Sequence, residues 1–263
     1  MNAQSRICIA LLAVLLSGPG AFHILYAQES DTADFGHRRQ SFTVLSQINN
    51  PQDRHAFLKA YSASKPAQRY ALAMAFIDAY PQSWLLAEVY DIAARASINL
   101  GAYGRALKEG QFSLRLRPEN STLLVLMANL EARRGLFDEA QSSAREALDY
   151  LDQFARPGNV SKHKWKSLKP RLKASAYFAL GRAYAARALN TNPANRELLK
   201  QAARALNQAT AWNAKNLEAF YLRALVELRL GETSRAAADL IWVVRSETPL
   251  STKALIRLRN LYS

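Results

Sequence analysis

Beyond the N-terminal apolar segment the histidines are His37, His55 and His163, too scattered for metal-ligand spacing. The single cysteine, Cys8, lies inside that segment. No Gly-rich phosphate loop and no Gly-x-Ser-x-Gly elbow occurs. Asp and Glu are dispersed at helical spacing, where ion pairing across a turn is their ordinary use. These residue types and spacings predict no catalytic group, no metal, no cofactor and no small-molecule substrate.

What the side chains can do is bind anions and peptides. No acid occurs between Asp152 and Glu197, an interval holding Arg156, Lys162, Lys164, Lys166, Lys169, Arg171, Lys173, Arg182, Arg187 and Arg196. Trp165 stands among the lysines. The segment 156–187 is expected to be either a solvated charge run or an anion-binding surface. Its ligand would be a membrane surface with phosphorylated head groups, an anionic polymer or an acidic protein. A basic segment with an aromatic would also suit nucleic acid. Nucleic acid is disfavoured because no nucleic-acid-binding motif occurs and the chain carries an export signal.

The chain has 263 residues, 35 Lys+Arg against 21 Asp+Glu, 10 Gly and a 49% hydrophobic fraction. That apolar content excludes a disordered chain, and the sparse turn residues argue against a many-stranded sandwich or barrel. Residues 1–27 carry one charge, Arg6, then the apolar run Ile7–Leu16 and a Ser-Gly-Pro-Gly break. This is the pattern of a secretory signal peptide, with cleavage expected after Ala27. The alternative is an uncleaved anchor, since Ile7–Ala27 could just span a bilayer. Either way the body is exported, periplasmic or secreted, and membrane-anchored in the second case. Residues 28–40 are polar and predict a flexible spacer.

The body repeats. Gly101-Ala-Tyr103-Gly-Arg-Ala106 recurs 34 residues later as Gly135-Leu-Phe137-Asp-Glu-Ala140, and again as Gly231-Glu-Thr233-Ser-Arg-Ala236. An apolar segment of helical period flanks each copy on both sides, so the unit is helix, turn, helix. The Gly is expected to end the first helix at positive φ, which costs it no Cβ clash. The Ala early in the second helix lets the two helices approach closely. Ser64-Lys-Pro66 reads as a helix start, Tyr80-Pro81 and Pro118 as helix ends, and Asn190-Thr-Asn-Pro193 as a loop. Trp84, Trp212 and Trp242 fall within helical apolar patterns and are expected in the core.

These residues resemble the tetratricopeptide repeat, whose pattern of large apolar, small, Gly, aromatic and Ala positions, closed by Pro, is matched by Tyr90, Ala94, Gly101, Tyr103, Ala106 and Pro118. A second unit matches with Leu124, Met127, Ala128, Gly135, Phe137, Ala140 and Ala147, and a last with Phe220, Ala224, Gly231 and Ala236. Arg223, Thr233 and Val243 depart from it. A unit beginning at Ala174 matches with Tyr177, Leu180, Gly181 and Tyr184, then carries extra residues in Arg187–Leu198. The expected fold is all-α, tandem helix-turn-helix repeats stacked into an α-solenoid; the resemblance implies a right-handed superhelix. Its body is 41–263: degenerate helices 41–86, repeats near 87–120, 121–154, 174–216 and 217–250, a basic insertion 153–172 and a capping helix 251–263.

The resemblance also implies that first helices line a concave groove. Its positions fall on Asp91, Arg95, Asn99, Val125, Asn129, Arg133, Phe178, Arg182, Tyr221 and Arg229. Arg and Asn suit peptide carbonyls and carboxylates, and aromatic faces suit apolar side chains. The carboxylate clamp of chaperone-binding members is missing, because Asp91 stands where it has a cation. The predicted function is therefore a non-catalytic exported adaptor that holds a partner protein or peptide. The alternative is an anionic polymer or lipid binder acting through 156–187.

Overall fold

A computed structural model describes residues 50–153, 156 and 160–262. The expected leader 1–27, the spacer 28–40 and the first residues of the degenerate segment lie outside the described residues. Those described contain eleven α-helices and no strand. They form two compact units, 50–127 with 153–166, and 128–152 with 167–262.

The first unit holds α1 (Pro51–Ser62), α2 (Pro66–Ala79), α3 (Leu86–Asn99), α4 (Tyr103–Leu116) and the start of α5 (Ser121–Arg134). Proline at the first position starts α1 and α2, where its missing N–H is no loss. Asn50 caps α1 by accepting from the Gln52 N–H at 2.9 Å. Phe57, Phe76, Leu85 and Val89 form the core of this end. The α3–α4 hairpin is closed by Ala94 and Ala106, both fully buried. Two buried hydrogen bonds join its helices: Ser113 Oγ donates to the Ala87 carbonyl and Ser97 Oγ to Glu109 Oε2, each at 2.7 Å. A serine at the second alanine place of the repeat thus exchanges a methyl for an inter-helix bond.

The second unit holds the rest of α5, α6 (Phe137–Gln153, apart from its last residue), α7 (Lys162–Leu189) from Ser167 on, α8 (Arg196–Trp212), α9 (Leu217–Leu230), α10 (Thr233–Val244) and α11 (Pro249–Tyr262). Asn195 and Asn216 cap α8 and α9. Leu206, Leu222, Val226, Leu240 and Val243 fill the core between α7 and α11. Gly181 lets α7 and α8 meet: a Cβ there would come within 2.6 Å of Leu206 Cγ.

The three repeated glycines occupy one setting. Gly101, Gly135 and Gly231 have φ of 71°, 80° and 86°. At each, the next residue's N–H reaches back to an equivalent carbonyl: Ala102 to Ser97 at 2.8 Å, Leu136 to Glu131 at 3.0 Å and Glu232 to Glu227 at 2.9 Å. This is the hydrogen bond that closes a helix with a left-handed residue.

The basic segment differs from expectation. Residues 162–172 are not a separate insertion; Lys162–Leu189 is one 28-residue helix with Pro170 inside it. Ser161 Oγ accepts from the Lys164 N–H at 3.2 Å and starts the helix. The Lys, Leu, Arg and Ala that follow are good helix formers, and tertiary packing carries the helix past one proline. The tryptophans differ too. Trp84 is 88% exposed, and Trp212 and Trp242 are 41% and 50% exposed. Trp84 sits in the turn before α3 and Trp212 is the last residue of α8, so an apolar period continued past the place where packing stops.

Candidate functional site

In the first unit the groove positions fall on α3. Asp91 and Arg95, one turn apart, pair at 2.7 Å. Arg95 Nη2 also reaches Thr122 Oγ1 at 3.4 Å, and Asn120 Nδ2 donates to Asp91 Oδ2 at 3.4 Å. The charges here are mutually neutralised. Asn99, at the end of the same helix, keeps a buried Oδ1 with no hydrogen-bond partner.

In the second unit the positions fall on three first helices, α5, α7 and α9. Two expectations fail. Phe178 and Tyr221 are 6% and 3% exposed and belong to the core, so neither offers an aromatic face. A repeat register gives every unit the same outward angle, whereas these large rings fold inward to fill space beside small alanines. Val125, in the first unit, is likewise buried. Arg229 is exposed at the end of α9. Asn129 is partly buried, its Nδ2 donating to Ser175 Oγ at 3.0 Å.

Arg133 and Arg182 come together with a residue the sequence did not single out, Glu218. Arg182 Nη2 lies 3.4 Å from Glu218 Oε2, and Arg133 Nη2 lies 4.0 Å from the same oxygen. The Arg182 guanidinium stacks 4.6 Å over the Phe178 ring, which explains why that aromatic is retained. Arg182 is 4% exposed, and its Nη1 is buried without a hydrogen-bond partner. Burial first, and then repulsion from Arg133, push its pKa down to about 10 against the pull of Glu218. It remains a cation at neutral pH. Two guanidinium groups therefore share one half-exposed carboxylate.

The expected basic surface is smaller than the sequence implied. Arg156, Lys162 and Lys166 are exposed, while Lys164, Trp165, Lys169 and Arg171 are partly buried. Lys173 is not a surface residue: it is buried, ion-paired with Asp152 and 4.7 Å over the Trp212 ring. Helix formation wraps the cation run around α7, so one side of it turns inward. His55 and His163 are exposed; His37 lies outside the described residues.

Two features were missed in the sequence. Arg223, an outlier from the repeat pattern, makes a bidentate pair with Asp239, both bonds at 2.6 Å, and donates to Thr210 Oγ1 at 2.7 Å and Asn207 Oδ1 at 2.8 Å. Its departure from an apolar position was the available signal. The other is a pair of buried glutamates at one repeat position: Glu131 and Glu227 each lie four residues before a turn glycine. Burial is the main cause that raises each pKa to about 7.

The fold and the arrangement of polar groups along successive first helices define an all-α helical-repeat protein with the fold of tetratricopeptide-repeat proteins. The structure is similar to MamA 41-end from Desulfovibrio magneticus RS-1, with TM-score 0.57 and 15% identity over 76% of this chain and 99% of that one. A MamA RS-1 ArsTM double mutant gives TM-score 0.57 and 15% identity over 77% and 99%. A thermophilic TPR protein of Thermus thermophilus gives 0.47 and 15% over 80% and 98%. No protein-family model matches the chain, and no curated protein matches it.

Proposed function

We propose that the chain is a non-catalytic, exported interaction adaptor that binds a partner protein or peptide along its first helices. Repeat folds of this kind serve protein–protein contact as a class, because stacked units offer an extended surface rather than a closed pocket. The observation that carries the proposal is the convergence of Asn129, Arg133, Arg182 and Glu218 from α5, α7 and α9. Polar groups held by three separate helices give a peptide directional partners along its length. Export rests on the pattern of residues 1–27.

The test places a photo-crosslinking residue at Arg229, on first helix α9, and in a second variant at Arg204, exposed on second helix α8. Both are irradiated in the exported fraction. A defined partner captured from position 229 and not from 204 is the expected result. Equal capture from both, or none from either, overturns the proposal. The anionic-surface alternative draws less support, since Lys173 and Arg182 within 156–187 are buried.

A further inference from the structure

A stable groove floor does not need a buried cation. An apolar side chain at the Arg182 position would avoid the desolvation that a guanidinium suffers there, and replacing buried ionic groups by apolar ones is often neutral or stabilising. Arg182 is nonetheless 4% exposed, and its ion pair with Glu218 is a single contact at 3.4 Å. Its Nη1 has no hydrogen-bond partner. A guanidinium offers five N–H donors in a fork that matches a carboxylate through two parallel bonds. Here that capacity is largely unused. Arg133 approaches from α5, so the two cations face one acid, and the cluster keeps an excess positive charge. Glu218 itself is half exposed, at 50% of its side chain, and sits at the rim rather than in the fork.

We propose that Arg182 and Arg133 seat a carboxylate of the bound partner, and that Glu218 is a resident placeholder which that carboxylate displaces. The inference rests on the groove reading and sharpens it by naming the recognised group. Displacement needs only rotation of a solvent-facing glutamate, which leaves the backbone of α9 in place. The incoming carboxylate gains bidentate bonds from Arg182 and a second guanidinium from Arg133; the vacated Glu218 returns to water. The contact is selective because a neutral amide in the same place would leave both cations without a counter-charge. The carboxylate can come from an acidic side chain or from a chain terminus, and the two are separated by the probes below.

The experiment follows the arginine Nε–Hε NMR signals of the full mature chain, the Arg182 signal being assigned by its absence from Arg182→Lys. Three probes are titrated: acetyl-tetraglutamate amide, acetyl-tetraglycine with a free C-terminus, and acetyl-tetraglutamine amide. The expected result is a saturable shift of the Arg182 signal with at least one carboxylate probe. Affinity should be about tenfold higher in Glu218→Gln than in wild type, because the internal competitor is gone, a factor equal to about 1.4 kcal/mol. Arg133→Gln, at a partly exposed position, should lose the shift while its thermal melt stays that of wild type. A shift with tetraglutamate alone assigns an acidic side chain; a shift with tetraglycine alone assigns a terminus. No saturable shift in Glu218→Gln with either carboxylate probe, or an equal shift with tetraglutamine amide, overturns the proposal. Partner capture from position 229 with no carboxylate binding counts against this inference alone. Carboxylate binding without capture counts against the groove reading alone.

Discussion

Arg223 and Arg182 are two arginines of one unit, both on first helices, and their surroundings could hardly differ more. Arg223 spends its donors fully: two bonds of 2.6 Å to Asp239, with Thr210 and Asn207 on the remaining nitrogen. Burial alone would lower its pKa, but the bonds and attraction to Asp239 outweigh burial and raise it. Arg182 has a long contact to its acid, a like-charged neighbour and a lowered pKa. Satisfied donors rigidify a structure. Unsatisfied buried donors are a standing cost that a fold has no reason to keep without a ligand. The first arginine ties α8, α9 and α10 together; the second waits for a partner.

The largest expected effect comes from breaking the satisfied pair. Asp239→Ala should cost about 3–5 kcal/mol, because it strands the Arg223 cation where it is half enclosed. Urea denaturation reads this directly, and a loss below about 1 kcal/mol would erase the contrast between the two arginines. A smaller loss, about 1–3 kcal/mol, is expected for Gly181→Ala, since the added Cβ would press on Leu206 Cγ and Cδ2 at 2.6 and 2.8 Å. That change alters packing one residue from Arg182, so thermal melts of the variant also gauge how rigidly α7 presents its cation.

The smallest effect is a pH dependence. The Glu131 carboxyl, raised to about 7 by burial and by repulsion from Glu139 and Glu146 against a bond from Ser143, binds its proton more tightly folded than unfolded. Stability is then fully present below about pH 4 and declines as pH rises through 7. Glu227 follows the same direction, with burial first and Asp239 second among the causes that raise it. Glu131→Gln should remove part of the decline, worth roughly 1–2 kcal/mol between pH 5 and pH 8. Melting curves at the two pH values check it: an unchanged difference would mean that the carboxyl is ionised throughout.

The helical hairpins were legible because their signals are local. Gly101, Gly135 and Gly231 announce a positive φ, and Ala106, Ala140 and Ala236 announce close approach; neither depends on distant residues. The site was legible only in outline. Arg133 and Arg182 followed from the repeat register, but Glu218 did not, because the register alone does not say which of three helices brings an acid to the two cations. Phe178 and Tyr221 misled for a related reason: rotamer and neighbour volume, not periodicity, decide whether a ring turns outward or fills the core. The extension of α7 through Lys162–Lys173 was hidden by Pro170, which reads as a stop when its tertiary support is unknown.

The most direct measurement is a pair of double-mutant cycles read by urea denaturation, one crossing Arg223→Met with Asp239→Ala and the other Arg182→Met with Glu218→Gln. A coupling of about 3 kcal/mol or more for the first pair and below about 1 kcal/mol for the second is predicted, since one pair is buried and bidentate and the other long and half exposed. Equal couplings would contradict the account, because Arg182 and Glu218 would then be a structural pair with nothing held open for a partner.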